Sequence, residues 1–263
     1  MGGAARVSAL AVALAACASF GSAGNETKEP PAGADAAATL DGATPPDAGV
    51  APSGCARFGG AIFCEDFDDA PTGTAPALDR WSGSVDPGNS YSVVAEGLSL
   101  PNAVSLEGVG GGYALIYGSL TDPGPPNVTL EYAVFIEDPS APAVWAQLSW
   151  FREQDTKRRA IAVDIAPGAS FATQIDGTVT AEESRSTMPL VFAAWTRGWH
   201  AVKVEVTSNA KAVTVHVDDL LLGTATYAAE HIPGRLFLEV GAHAFDVAQS
   251  QRVLYDDIVI RTP

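Results

Sequence analysis

From Cys55 onward, apolar side chains recur at every second position in short runs. Residues 127–136 put Val128, Leu130, Tyr132, Val134 and Ile136 on one side. His200–Val206 sends Val202, Val204 and Val206 one way and Lys203 and Glu205 the other. Residues 212–218 alternate likewise and end at Asp218-Asp219, a turn before Leu220-Leu221-Leu222. Similar runs cover Ile62–Phe67, Tyr91–Ala95, Val104–Leu106, Tyr113–Tyr117, Val144–Phe151, Ala160–Ile165, Phe171–Asp176, Leu236–Gly241 and Val253–Ile260. Successive side chains of a strand leave opposite faces, so an apolar period of two marks a strand half buried against a core. No segment after residue 55 has an apolar period of 3.6, and Ala225–Ile232 is the one place where a single helical turn fits. About a dozen strands in roughly 200 residues predict one all-β domain over residues 55–263, a two-sheet antiparallel jelly-roll sandwich.

The chain before that domain has another character. Residues 18–54 are mainly Ala, Gly, Pro, Asp, Ser and Thr, with Phe20, Leu40 and Val50 the large apolar residues among them. So little apolar surface cannot offset the entropy of ordering, which predicts a disordered tether. As a flexible coil it reaches roughly 30–40 Å. Ahead of it stand one cation, Arg6, and an apolar stretch, Val7–Ala16. That stretch is shorter than the about 20 residues a membrane span needs and fits a cleaved signal. It ends Leu14-Ala15-Ala16-Cys17, which resembles the lipobox of bacterial lipoproteins: a branched apolar residue, two small residues, then cysteine. The resemblance implies a signal peptide over residues 1–16 and a lipidated Cys17 that anchors the chain to a membrane, with the tether filling residues 17–54. Ala18 in place of Asp implies, in that family, the outer membrane of a Gram-negative bacterium and an extracytoplasmic domain. An ordinary secretory signal, cut after an Ala-x-Ala site, is the alternative.

Acidic residues number 31 against 15 Lys and Arg, a formal charge of −16. That balance argues against nucleic acid and against anionic membrane surfaces. With Cys17 assigned to the lipobox, Cys55 and Cys64 are left. Outside the cytoplasm such a pair oxidises to a disulfide, contributing about 2–3 kcal/mol by loop closure. No His pair stands close enough in sequence to complete a zinc set.

Two segments carry a second resemblance. The first strand reads Ile62-Phe-Cys-Glu-Asp-Phe-Asp68 and the last Leu254-Tyr-Asp-Asp-Ile-Val-Ile-Arg261. Between them, Trp199-His-Ala-Val-Lys-Val-Glu-Val206 and Val213-Thr-Val-His-Val-Asp-Asp219 resemble the hairpin of laminin G-like modules, with Asp219 where those modules usually have Gly. Together, over roughly Phe58 to Arg261, they resemble the concanavalin A-like lectin/glucanase superfamily. That implies a jelly roll shared by lectins, adhesion modules, glycoside hydrolases and polysaccharide lyases, so chemistry must be sought residue by residue. No cofactor is required. Many members carry one calcium on the convex side, held near the first strand and by an Asp of the last. Here that implies a structural calcium at Asp257, with Asp256, Glu65 and Asp66 beside it.

The glucanases of that superfamily carry Glu-x-Asp-x-Glu on a concave strand. The nearest fit is Ala162-Val163-Asp164-Ile165-Ala166, with alanine at both glutamate positions. Gln174-Ile175-Asp176 shares two letters of one alginate-lyase motif. His200, His216, His231 and His243 sit in no nucleophile elbow, and His200 and His216 read as pointing outward. No catalytic residue is assigned. Sugar binding needs aromatics to stack on rings and polar groups to read hydroxyls. The candidates are Trp145 and Gln147 on one face of a strand, Arg152 beside Trp150 on the other, and Tyr132. The basic run Lys157-Arg158-Arg159 closes the loop 153–159, where it is either a grip for an acidic polysaccharide or a solvated hairpin tip. Trp81, Trp195 and Trp199 read as packing residues. The expected function is a cell-envelope lipoprotein that binds a glycan or adheres without catalysis. A polysaccharide-degrading hydrolase or lyase of the same fold, and a structural envelope interaction protein, are the alternatives.

Overall fold

The computed structural model describes residues 54–76, 80–99, 101–139, 144–152, 157–166, 169–178, 184–190, 196–227, 233–243 and 250–263. The expected signal peptide, Cys17 and the expected tether up to residue 53 lie outside the described residues. A 3-10 turn at Gly54–Arg57 precedes β1 (Ala61–Glu65), β2 (Ser82–Val85), β3 (Ser90–Val94), β4 (Ala103–Val109) and β5 (Tyr113–Thr121). Then come β6 (Val128–Ile136), β7 (Val144–Arg152), β8 (Lys157–Ala166), β9 (Ala169–Thr178) and β10 (Ser184–Leu190). The last are β11 (Gly198–Thr207), β12 (Ala212–Val217), β13 (Leu220–Thr226), β14 (Arg235–His243) and β15 (Ser250–Arg261).

These strands form two antiparallel sheets, a jelly-roll sandwich. One runs β13-β12-β11-β6-β15-β4-β3, with β1 also paired to β15; the other runs β10-β9-β8-β7-β14-β5-β2. The first and last strands pair as neighbours, Cys64 opposite Val259 and Glu65 opposite Ile258. The core is the set of alternate residues turned between the sheets. Val128, Leu130, Val134 and Ile136 of β6 and Val202, Val204 and Val206 of β11 face Leu148 and Trp150 of β7, Ile161 and Val163 of β8, and Leu236, Leu238 and Val240 of β14, all buried. Burial of this kind contributes about 1.5–3 kcal/mol per large aliphatic side chain relative to exposure. Cys55 and Cys64 are joined as expected, tying the 3-10 turn to β1.

Four details depart from the sequence expectation. β2 (Ser-Gly-Ser-Val) and β10 (Ser-Arg-Ser-Thr-Met-Pro-Leu) close the two edges of the second sheet, and neither has an apolar period by which to find it. Lys157-Arg158-Arg159 opens β8 rather than closing a loop, so alternation separates its members. Ala225 and Thr226 continue β13 where a helical turn is expected, and residues 228–232 lie outside the described residues. His200 turns inward, 6% exposed, because the Asp218 carboxylate holds its Nδ1 at 2.7 Å. The same carboxylate accepts the Ala201 N–H at 2.9 Å. Asp218 and Asp219 take φ of 50° and 64°, two consecutive left-handed residues as a tight hairpin turn requires, and so fill the place where Gly is usual.

Candidate functional site

The outward face of the second sheet holds the site. Alternation in β7 turns Ala146, Leu148 and Trp150 to the core and leaves Trp145, Gln147, Ser149 and Phe151 on the other side. In β14, Leu236, Leu238, Val240 and Ala242 face inward and Phe237, Glu239 and Gly241 outward. Strand register then sets two rows across the sheet. One row is Tyr117, Glu239, Gln147 and Ala162; the next is Leu115, Gly241, Trp145 and Asp164. The Asp164 side chain lies outside the described residues.

Two depressions open on this face. One, about 460 Å³, is lined by residues that include Tyr117, Gln147, Ser149, Arg158 and Glu239. Its neighbour, about 410 Å³, is lined by residues that include Tyr113, Leu115, Trp145, Glu239 and Gly241. Leu115 and Glu239 belong to both, so the carboxylate stands between them. Gly241 keeps the second one open: a Cβ there would lie 3.0 Å from both Ala114 O and Leu115 Cβ.

Glu239 accepts a 2.8 Å hydrogen bond from the Trp145 indole N–H. Burial pushes its carboxyl above the ordinary glutamate range, opposed by that bond and by the charge of Arg158. Gln147 Nε2 donates to Ser149 Oγ at 3.0 Å, which leaves the Ser149 hydroxyl proton for another acceptor. The face thus offers one aromatic plane fixed by a carboxylate, a second aromatic in Tyr117 (39% exposed), an amide, hydroxyls and one guanidinium.

The sequence candidates divide cleanly. Trp145 and Gln147 meet in the groove. Tyr132 lies elsewhere: it shares the inward side of β6 with Leu130 and Val134, is 2% exposed, and packs its ring 5.7 Å from that of Tyr255. Arg152 ends β7 one place beyond the groove-facing Phe151, on the side that Trp150 takes. Of the basic run, Arg158 enters the groove, Arg159 is buried at 4% and Lys157 is exposed. Glu239 is not a site candidate in the sequence, and Arg158 enters there only as part of the basic run. Each is a single polar position in an alternating strand, and only the pairing of β14, β7 and β8 brings them to Trp145.

The acidic residues expected to hold calcium do gather where β1 meets β15. Asp256 accepts the Ser99 N–H at 2.9 Å, the Ser99 hydroxyl at 3.2 Å and the Asp257 N–H at 2.7 Å. Glu65 accepts the Phe67 N–H at 3.0 Å and the Trp81 indole at 3.1 Å, and Asp66 accepts the Cys55 N–H at 2.6 Å. Asp257 pairs through Oδ2 with Arg57, while its buried Oδ1 has no hydrogen-bond partner. Among the described residues no three His, Cys, Asp or Glu side chains are spaced to hold a metal ion. A guanidinium stands where the cation is expected, so these residues do not fit a calcium as they are arranged.

No protein-family profile and no curated protein matches the sequence. Solved structures do. An endo-β-1,4-glucuronan lyase from the fungus Trichoderma reesei aligns with a TM-score of 0.56 at 12% identity, over 77% of this chain and 96% of that one. A GH16 protein of Bacteroides ovatus, from a mixed-linkage glucan locus and solved with its G4G4G3G product, aligns at 0.54 and 10%, over 76% and 99%. A pseudo β-1,3-glucanase of Mycobacterium tuberculosis aligns at 0.52 and 16%, over 78% and 100%. The likeness is one of fold alone, a concanavalin A-like jelly roll.

Proposed function

We propose that this chain binds a glycan along the groove across β5, β14 and β7 without cleaving it. The observation that carries the reading is the Trp145 ring fixed by Glu239 in the groove. Among the described residues lining the two depressions, Glu239 is the one acidic side chain, and glycoside hydrolysis of either stereochemistry uses two carboxyl groups roughly 5–10 Å apart. The rest of the groove suits binding. Trp145 and Tyr117 offer ring faces to sugars, and Gln147, Ser149 and Ser84 offer polar contacts to hydroxyls. The Trp145–Glu239 bond holds the indole in place before ligand arrives, which lowers the ordering cost of association. A lipid anchor at Cys17 and a tether over residues 17–54 would place this domain outside the cytoplasm, at the outer membrane. The lipobox-like tetrad supports that address, and a disulfide belongs in an oxidising compartment.

The test is a glycan array probed with the wild type and with Trp145→Ala. Binding that the substitution removes supports the proposal; equal signals from both proteins overturn it. One observation favours the enzyme alternative: burial pushes the Glu239 carboxyl above the ordinary glutamate range, the direction in which general acids are tuned. Reducing-end release or unsaturated product from a polysaccharide, abolished in Glu239→Gln, would establish that alternative instead.

A further inference from the structure

The groove carries a charge that the rest of the chain does not explain. The protein is formally −16, yet the Arg158 guanidinium lines the larger depression half-buried. Among the described residues it makes no hydrogen bond and no ion pair. Glu239 feels its charge, but the Glu239 Oε1 accepts from the Trp145 indole rather than from the guanidinium. A half-buried guanidinium that makes no direct ion pair gains when an anion enters beside it.

We propose that the glycan is a polyuronate and that Arg158 takes the sugar carboxylate. This rests on the groove reading above. The planar guanidinium fork matches a carboxylate in two parallel hydrogen bonds. The Ser149 hydroxyl, already accepting from Gln147, has its proton free to donate to the same anion or to a neighbouring hydroxyl. Glu239 fits too, because the burial that disfavours its ionised form reduces repulsion of an incoming uronate. A neutral sugar in the same place would leave Arg158 unpaired, so the groove discriminates by charge as well as by shape.

The test uses the full-length chain and calorimetry. Oligomers of galacturonate, glucuronate and mannuronate are each titrated beside their methyl esters, which keep the backbone and remove the charge. Neutral gluco-oligosaccharides and a sulfated oligosaccharide complete the set. At least one uronate is expected to bind about tenfold or more tighter than its ester, with affinity falling as salt rises. Arg158→Gln is expected to erase that preference with an unchanged melting temperature, and Arg158→Lys to restore part of it. Esters that bind as well as acids, or a preference that survives Arg158→Gln, overturn the inference. Sulfated ligand bound in place of uronate overturns the carboxylate assignment. Neutral glucans bound while uronates are refused overturn this inference and leave the groove reading standing. Silence from every glycan overturns both.

Discussion

Tyr255 reaches across the sandwich to the backbone of Trp145. It belongs to β15 in one sheet, and its hydroxyl accepts the Trp145 N–H at 3.2 Å and lies 2.5 Å from Gly241 O in the other. Those two residues face each other in the β7–β14 pairing and flank the smaller depression. A core tyrosine therefore sets the position of the groove's main aromatic without touching any ligand. Tyr255→Phe is expected to cost about 1–3 kcal/mol in urea unfolding, since it leaves buried backbone groups without their partner. It should also weaken glycan binding several-fold by calorimetry. A destabilised variant with unchanged affinity would make Tyr255 a packing residue alone.

Asp256 makes stability depend on pH. It is fully buried, and burial first, then the neighbouring Asp257 charge, pushes its carboxyl up to about 6 against the Ser99 and Asp257 hydrogen bonds. A carboxyl whose folded value exceeds its unfolded value of 3.8 binds its proton more tightly in the fold. Its stabilising contribution is complete below about pH 4 and is lost as pH rises through 6. Burial shifts Asp68 and Glu239 in the same direction. The protein is thus expected to be more stable at pH 5 than at pH 7.5 in denaturant titrations. Asp256→Asn, which trades one acceptor for a donor, should be less stable at each pH but flatter across this range, where Asp256 accounts for a wild-type change of about 1–2 kcal/mol.

Arg57 does the work expected of a cation at Asp257. Its guanidinium contacts Oδ2 of that buried carboxylate and lies 4.6 Å over the Phe58 ring. Chelation of calcium is expected to leave the melting temperature of the wild type unchanged in differential scanning calorimetry. Arg57→Ala, by leaving Asp257 uncompensated, should cost about 1–3 kcal/mol. A calcium-dependent rise in the wild-type transition would return the site to a metal.

The alternation of apolar residues made the jelly roll legible, because most strands of the sandwich bury one face. It failed at β2 and β10, edge strands whose sequences carry no such period. Within the site, Trp145 and Gln147 could be placed on one face from the strand alone. Tyr132 could have been excluded by the same rule, since it shares its side of β6 with Val128 and Leu130. Arg158 and Arg159 were merged into a charged loop because the start of β8 was missed, and with it the phase that sends one into the groove and the other into the core. Glu239 stayed hidden for another reason. A lone Glu between Leu238 and Val240 looks like any solvent-facing strand position, and its bond to Trp145 spans 94 residues of chain.

The central claim is that the outward face of the second sheet holds the glycan. The first sheet has an aromatic pair of its own on its outward side, Trp199 edge-on to Phe135 with ring centres 5.6 Å apart. This makes a matched control. The dissociation constant for the best ligand of the array should rise about tenfold or more in Trp145→Ala and stay within about twofold in Trp199→Ala. Affinity lost in Trp199→Ala and kept in Trp145→Ala would contradict the account.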